Sequence, residues 1–166
     1  MSRLTILLFS FSIILLTLGC DNISAQKKPN PYYSRTATTP LKVKDAEWKN
    51  ILPANVYYIA REKGTERAYT GKYADNHASG MYYCAVCGQA LFSSATKFES
   101  GTGWPSFYQP LTPRSVGLHT DADGDRVEVV CSRCGSHLGH VFDDGPKPTG
   151  KRFCMNSAVL DFVAGK

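Results

Sequence analysis

The sequence predicts a mainly β domain preceded by two short helices, and three observations predict it. Helix signals are confined to residues 45–64, where Asp45, Pro53 and Gly64 punctuate two short runs. From Tyr69 onward, glycines and β-formers dominate in short stretches separated by turn residues. Two C-x-x-C-G hooks, with 43 residues between Cys87 and Cys131, suit hairpins that bring distant parts of the chain together. With 166 residues, 43% hydrophobic and 20% charged, the chain holds one globular domain's worth of material and is not compositionally disordered.

Arg3 stands ahead of Leu4 to Leu18, fifteen residues that are almost all apolar, which suits a signal h-region better than a span of about 20 residues. Thr17-Leu18-Gly19-Cys20 resembles a bacterial lipobox with its leucine displaced by one place. Residues 1–19 are therefore expected to be a lipoprotein signal peptide and Cys20 the lipid attachment site. Ordinary cleavage after Ala25 is the alternative, with Ile23 a poor fit to the small-x-small pattern. Either way an exported protein of the bacterial cell envelope is expected, periplasmic or anchored to the membrane by lipid. Residues 20–44, with Pro29, Pro31 and Pro40 among many Ser, Thr, Asn and Lys, lack hydrophobic periodicity and suit a lipid-anchored flexible tether. The domain is expected over residues 45–166.

Arg3 is the only charged residue before Cys20, so 18 basic and 14 acidic side chains remain beyond it, a net +4. The basic residues are scattered, as in Lys27-Lys28, Lys42, Lys44, Lys147 and Lys151-Arg152, without a long run of like charge. Nucleic acid is not an expected partner.

Asp45 is positioned to cap a helix running through Leu52, and Pro53 suits the first turn of a second helix that ends near Gly64. Strands are expected at Met81–Cys84, Val116–Thr120, Arg126–Cys131 and Arg152–Phe162. Asp121-Ala-Asp-Gly-Asp125 superficially suggests a calcium loop, but it lacks the remaining ligand positions and the closing glutamate, so an acidic hairpin turn is expected. No internal repeat exists beyond the two cysteine pairs.

Cys84-Ala-Val-Cys87-Gly88 and Cys131-Ser-Arg-Cys134-Gly135 can each supply two thiolates to one tetrahedral zinc, and the glycine permits the tight turn that curls the backbone round the metal. Two disulfides in an exported protein, or a thioredoxin-like redox pair, are the competing readings. The matching glycines favour zinc, one Zn2+ per chain. Four protein ligands close the coordination sphere, so the metal is structural.

Cys154 is the spare cysteine. Strand alternation puts Arg152, Cys154 and Asn156 on one face, a cation and an amide beside a thiol, and a cation lowers a thiol's pKa toward the nucleophilic thiolate. A small buried hydrophobe is the other reading of a free cysteine. Trp104 sits on a glycine-rich turn between Gly101, Gly103 and Pro105, while His137 and His140 precede the Asp143-Asp144-Gly145-Pro146 turn. Singly, such residues are more often structural. Together they offer a thiol, proton donors and an aromatic surface, a set suited to a polarised sulfur substrate.

These segments resemble the B-type methionine sulfoxide reductases, enzymes that reduce one epimer of methionine sulfoxide. The resemblance runs from about Trp48 to Phe162. It includes Gly64-Thr-Glu66, Thr70-Gly71, both cysteine hooks, Lys97-Phe-Glu-Ser-Gly101, Gly103-Trp-Pro-Ser-Phe107, Ser136-His-Leu-Gly-His-Val-Phe142, Asp144-Gly-Pro146 and Arg152-Phe-Cys-Met-Asn-Ser157. It implies two antiparallel sheets packed as a sandwich-like core, with zinc at a distance from the active site. It further implies thiol-dependent reduction of methionine-(R)-S-oxide, in oxidised proteins or peptides, through a sulfenic acid on Cys154. His137, His140, Asp144, Arg152 and Asn156 would form the polar site, and Trp104 and Phe142 would lie near the substrate methyl. A thioredoxin-like or other external thiol is the implied reductant, and a monomer is expected. Two departures stand out: Thr102 occupies the position where many members carry a resolving cysteine, and Ala68 stands where proline is usual. A zinc-stapled binding module using Trp104, and a thiol-disulfide oxidoreductase using one C-x-x-C pair, are the alternative functions.

Overall fold

The computed structural model describes residues 29–121 and 124–165. The expectations for the signal peptide 1–19, lipid attachment at Cys20, cleavage after Ala25 and the tip of the acidic turn at 122–123 lie outside the described residues.

Two helices open the domain, α1 (Asp45–Ile51) and α2 (Ala54–Glu62). Each buries one apolar stripe, Trp48 and Ile51 on α1 and Val56, Ile59 and Ala60 on α2, at the three- and four-residue spacing of a helix face. Their ends differ from expectation. Asp45 is the first helical residue behind Lys44 and makes no cap; its carboxylate accepts from Arg61 Nε at 2.7 Å instead. Lys63, not Gly64, takes the left-handed cap conformation, with φ 57°. Gly64 is reserved for close approach, because a Cβ there would lie 2.2 Å from the Tyr58 ring.

Among the described residues nine strands follow: β1 (Gly80–Cys84), β2 (Ala90–Ser93), β3 (Lys97–Phe98), β4 (Ser106–Phe107), β5 (Val116–Thr120), β6 (Val127–Cys131), β7 (His137–Phe142), β8 (Arg152–Met155) and β9 (Leu160–Ala164). They form a three-stranded sheet ordered β2-β1-β9 and a six-stranded sheet ordered β3-β4-β8-β7-β6-β5. Every pairing is antiparallel. The expected mainly β fold of two antiparallel sheets is the one observed. The sheets meet through aromatic side chains, with Phe92 of β2 stacked on Phe107 of β4 at 4.4 Å and Tyr82 of β1 edge-on to Phe107 at 5.0 Å.

The expected strand from Arg152 to Phe162 is in fact two strands in different sheets. β8 ends at Met155, a 3-10 turn spans Ser157–Val159, and β9 then crosses to the smaller sheet. Glu66 causes the break: its carboxylate accepts from the backbone N–H of Ser157 at 2.6 Å and of Ala158 at 3.0 Å. Those donors are thereby withdrawn from any ladder.

The flexible tether expected through residue 44 is also corrected in its described part. Residues 29–44 lie on the domain. Tyr32 packs edge-on against Trp48 at 5.1 Å, and Asn30 Nδ2 donates to Val86 O at 2.7 Å. The Ser34 N–H donates to Cys87 O at 3.0 Å, and Arg35 pairs with Asp161 at 2.8 Å. Composition reads this arm as unstructured because it has no periodic apolar face; it is held by polar contacts, and by Tyr32, Leu41 and Val43 packed against the core, that only the folded domain supplies. Arg133 is the main anchor. It is buried, and its guanidinium donates to the carbonyls of Thr39, Tyr32, Ser34 and Cys87.

Arg133→Met keeps the aliphatic stem but leaves these carbonyls without their donor. It is expected to destabilise the domain by about 2–4 kcal/mol, the penalty for buried groups left unpaired. Limited proteolysis should then cut within residues 29–41 of the variant before any other site, and equal protease resistance of both proteins would contradict the anchoring role.

Candidate active site

Strand register builds the candidate site. Ser106 on β4, Cys154 on β8, His140 on β7, Glu128 on β6 and His119 on β5 are directly opposed in successive strand pairs. Opposed residues share a face, so one polar row crosses five strands. Residues one place along, Phe107 and Phe153, point to the other face toward Phe92. Two places along, Arg152 opposes Phe142, and its guanidinium lies 4.3 Å over that ring.

A β-bulge modifies the row. Val129 pairs with Gly139 but Val130 pairs with His137, so Leu138 is the extra residue. The bulge turns His137 to the side of His140, and the two rings meet edge-to-face with centroids 5.3 Å apart. Gly139 is required by packing, because a Cβ there would sit 2.0 Å from the carbonyl oxygen of Cys154.

A cavity of about 170 Å³ opens beside Cys154, with His140, Asn156 and Arg126 on its polar side and Trp104 and Phe142 among its aromatic walls. Glu66 fixes two of these walls: its carbonyl accepts from Trp104 Nε1 at 3.1 Å, and its N–H donates to Asn156 Oδ1 at 3.0 Å. Thr102 Oγ1 stands 3.9 Å from Cys154 Sγ. His140 Nε2 meets Asp121 Oδ2 at 3.1 Å, and Arg126 pairs with the same carboxylate oxygen at 2.9 Å.

Electrostatics refine the expectation for the thiol. Burial pushes the Cys154 thiol up and outweighs the lowering by Thr102, Arg152 and Ser106, so its pKa lies above the ordinary value. The charge of Arg152 is largely engaged elsewhere, since Nε and Nη2 donate to the two oxygens of Asp144, each at 2.8 Å. That bond holds the Asp144 carboxyl below the usual range.

The structure therefore brings Cys154, His140, Asn156, Trp104 and Phe142 together at one cavity. Arg152 and Asp144 form a bidentate pair at its margin, against Phe142. Asn156 lies beyond the end of β8, and its amide is committed to backbone, with Nδ2 donating to Leu138 O at 3.1 Å. His137 does not line this cavity. It is 2% exposed behind His140, bonded through Nδ1 to Glu128 Oε1 at 2.8 Å. Arg126, Asp121, Glu66 and Glu128 were not singled out as site residues from the sequence. For Arg126 and Glu128 the one sequence signal is alternation, since Arg126, Glu128 and Val130 share a strand face.

Cys84, Cys87, Cys131 and Cys134 form a separate buried cluster whose sulfurs all lie within 4.8 Å of one another. Cys84 and Cys131 end β1 and β6, so the cluster joins the tips of hairpins from the two sheets. Gly88 and Gly135 carry φ of 81° and 68° and close each hook with an N–H bond to the carbonyl of its first cysteine at 2.8 Å. None of the four is joined in a disulfide in this structure, and the cluster could hold a metal ion.

Because burial raises the Cys154 pKa, alkylation of that thiol should be slower near neutral pH than that of an ordinary exposed thiol and should accelerate with rising pH. Arg152 still lowers that pKa, so Arg152→Met should move the alkylation profile to higher pH, read by mass spectrometry of the Cys154 peptide. An unshifted profile would remove Arg152 from the electrostatics of the thiol.

Comparison with known proteins agrees with this geometry. Residues 52–164 match the SelR domain family model. The chain is 54% identical over 129 residues to peptide methionine sulfoxide reductase MsrB of Methanosarcina mazei, covering 76% of this chain and 92% of the relative. It is 58% identical over 120 residues to the MsrB of Thiobacillus denitrificans, covering 71% and 91%. Against peptide methionine sulfoxide reductase B1, chloroplastic, of Arabidopsis thaliana it is 49% identical over 158 residues, covering 93% and 77%. The matched span takes in both cysteine hooks, the Trp104 turn and the Cys154 strand, and on that evidence the chain belongs to the SelR-domain family of peptide methionine sulfoxide reductases.

Proposed function

We propose that this chain is a thiol-dependent oxidoreductase that reduces methionine-(R)-S-oxide to methionine, with Cys154 as nucleophile. The observation that carries the reading is a thiol directly opposed by a histidine in a small cavity walled by Trp104 and Phe142. The relatives' named activity supports the same conclusion.

The chemistry follows from the residue types. The Cys154 thiolate attacks the sulfoxide sulfur while protonated His140 donates to the oxygen, which is otherwise a poor leaving group. The attack joins Cys154 Sγ to the substrate sulfur. The protonated oxygen leaves that sulfur with the sulfur–oxygen electron pair and bonds to Cys154 Sγ, the sulfur–sulfur bond breaks with its pair on the methionine sulfur, and Cys154 is left as sulfenic acid. Positive charge developing on the substrate sulfur faces the aromatic walls, an attraction of about 0.5–2 kcal/mol. Arg152 and Asn156 orient the strand end and cavity wall around the thiol, and Asp144 holds Arg152 over Phe142. Oxidised proteins or peptides are the substrate class.

Thr102 beside the sulfur offers no second thiol, so an external thiol, thioredoxin-like or small, must attack the sulfenic acid directly and then release Cys154 by exchange. The four clustered cysteines are buried and none lines the Cys154 cavity. We assign that cluster to one structural Zn2+. Sulfur pairs at 3.8 Å for Cys84 and Cys134 and 3.6 Å for Cys87 and Cys131 match the roughly 3.8 Å edge of a tetrahedron with Zn–S bonds of about 2.3 Å. An exported lipoprotein tethered through Cys20 remains our proposal for location, on the signal-like anatomy of residues 1–20.

Two experiments test these assignments. Treated with methionine-(R)-S-oxide and no reductant, the full chain should release one methionine per chain and gain one oxygen on the Cys154 peptide without forming a disulfide; Cys154→Ser should release none. A Cys154 disulfide to any clustered cysteine under native conditions would overturn the one-cysteine route. Stripping the metal with a strong chelator should lower Tm by 10 °C or more, on the order of the folding energy a four-thiolate zinc contributes to a small domain, with activity lost as the protein unfolds. Equal stability of the stripped protein would end the structural role.

A further inference from the structure

Thr102 brings no thiol to the Cys154 sulfur, but it ends a row of three hydroxyls that leads there. Ser106 is fully buried and directly opposed to Cys154 across β4 and β8. Its Oγ donates to Ser100 Oγ at 2.8 Å, with the Trp104 carbonyl a longer second acceptor at 3.3 Å. Ser100 Oγ also accepts from the Thr102 N–H at 3.4 Å, which occupies both of its lone pairs. The Ser100 proton therefore goes to Thr102 Oγ1, 2.8 Å away. Thr102 is then left with its own proton to give, and Cys154 Sγ lies 3.9 Å from Oγ1. A thiol can share that contact in either direction, whereas a thiolate only accepts.

The turn that carries Thr102 is pinned on both sides by one residue. Tyr69 donates its N–H to the Gly103 carbonyl at 2.8 Å and its hydroxyl to the Gly101 carbonyl at 2.6 Å. To straddle Thr102 in this way Tyr69 takes a left-handed backbone with φ 64°, a conformation that a bulky residue keeps only where its surroundings fix it. Few charged or titratable groups face the thiol. Arg152 on its own strand is held by Asp144, His140 on β7 is held by Asp121, and Arg126 stands on the polar side of the cavity. Residues 100–107, which carry the hydroxyl row, bring no charge. Burial pushes the thiol up, and of the influences that oppose it the Thr102 hydrogen bond comes first, ahead of the charge of Arg152 and the Ser106 hydroxyl.

We propose that Thr102 is the donor that holds the Cys154 sulfur as an anion for attack, with Ser100 and Ser106 as the positioning residues that aim its proton. This rests on the sulfoxide-reductase reading for the use to which the thiolate is put. As negative charge grows on Sγ, each hydroxyl of the row is already turned toward the next, so the anion meets a preorganised donor and no solvent has to reorient. The three hydroxyls keep their hydrogens throughout.

Alkylation of Cys154 in the full chain, followed against pH by mass spectrometry of its peptide, tests this without any sulfoxide turnover. Thr102→Val keeps the shape and removes the hydroxyl. The alkylation midpoint should rise by about one pH unit, near the lower end of what one hydrogen bond to a charged group is worth. Thr102→Ser restores the donor and should return the midpoint to that of the unaltered chain. Ser100→Ala leaves Thr102 its hydroxyl but not its aim, so a smaller rise is expected, on the order of a few tenths of a unit. A packing role alone would lower Tm in Thr102→Val and Ser100→Ala and leave every midpoint in place. That result, or a Thr102→Ser midpoint as high as that of Thr102→Val, would overturn the proposal. If Thr102→Val fails to fold, the rise in Ser100→Ala decides the question, and its absence overturns the donor. Midpoints that move as expected in a chain that releases no methionine from the sulfoxide would keep the donor and sink the activity reading on which its use stands.

Discussion

Antiparallel register in the six-stranded sheet is the constraint on which the rest of this molecule depends. Side chains alternate with a period of two, so a slip of one residue in β8 would send Cys154 toward Phe92 and put Phe153 where the thiol stands. The register is pinned from both sides. Aromatic packing of Phe107 and Phe153 on the opposite sheet holds one face, and the contact of Gly139 with the Cys154 carbonyl admits no side chain on the other strand. The thiol and its proposed acid thus face each other because a hydrophobic core on the far side of the sheet leaves no other alignment.

The polar face on that sheet carries charges that would be expensive if left alone. Each is answered by a partner nearer solvent: Glu128 by Lys63, Asp121 by Arg126, Arg152 by Asp144. Pairing one buried charge to a partner whose head remains hydrated limits the desolvation cost while keeping the inner group fixed. The same logic explains why Arg152 lowers the Cys154 pKa less than a free guanidinium would. Its fork is held by Asp144 and its plane by Phe142, so it serves as a wall as much as a counter-charge.

Away from the site, the four-cysteine cluster and the N-terminal arm act on the same structural weakness. The two sheets have separate hairpin tips at residues 84–88 and 131–135, and nothing in the backbone ladder joins them. The cluster gathers four sulfurs from both tips where a metal ion could be held, and residues 29–44 lie across it, with Ser34 bonded to Cys87 and Leu41 to Arg133. A Cβ on Gly88 would fall 2.6 Å from the Ser34 carbonyl, so the hook and the arm are fitted to one another.

How much of this was legible in the sequence follows from the range of the forces involved. Hooks, turn glycines, the spare cysteine and short β-former runs are local chemistry, and they were enough for a mainly β fold, for a four-cysteine group that could hold a metal ion, and for singling out Cys154, Trp104 and His140, which share one cavity. The two-residue strands β3 and β4 carry no local pattern, and the division of Arg152–Phe162 into β8 and β9 depends on Glu66, some 90 residues away. Residues 29–44 looked like a tether because their stabilising partners, above all Arg133, are distant in the chain. His137 and His140 are inseparable in sequence, but the bulge at Leu138 decides that one faces the cavity and the other lies buried against Glu128. Sequence by itself determined which chemical groups are present and which turns they flank. Register, bulge and burial decided which of them meet, because those are properties of paired strands and a shared core that no single stretch of chain encodes.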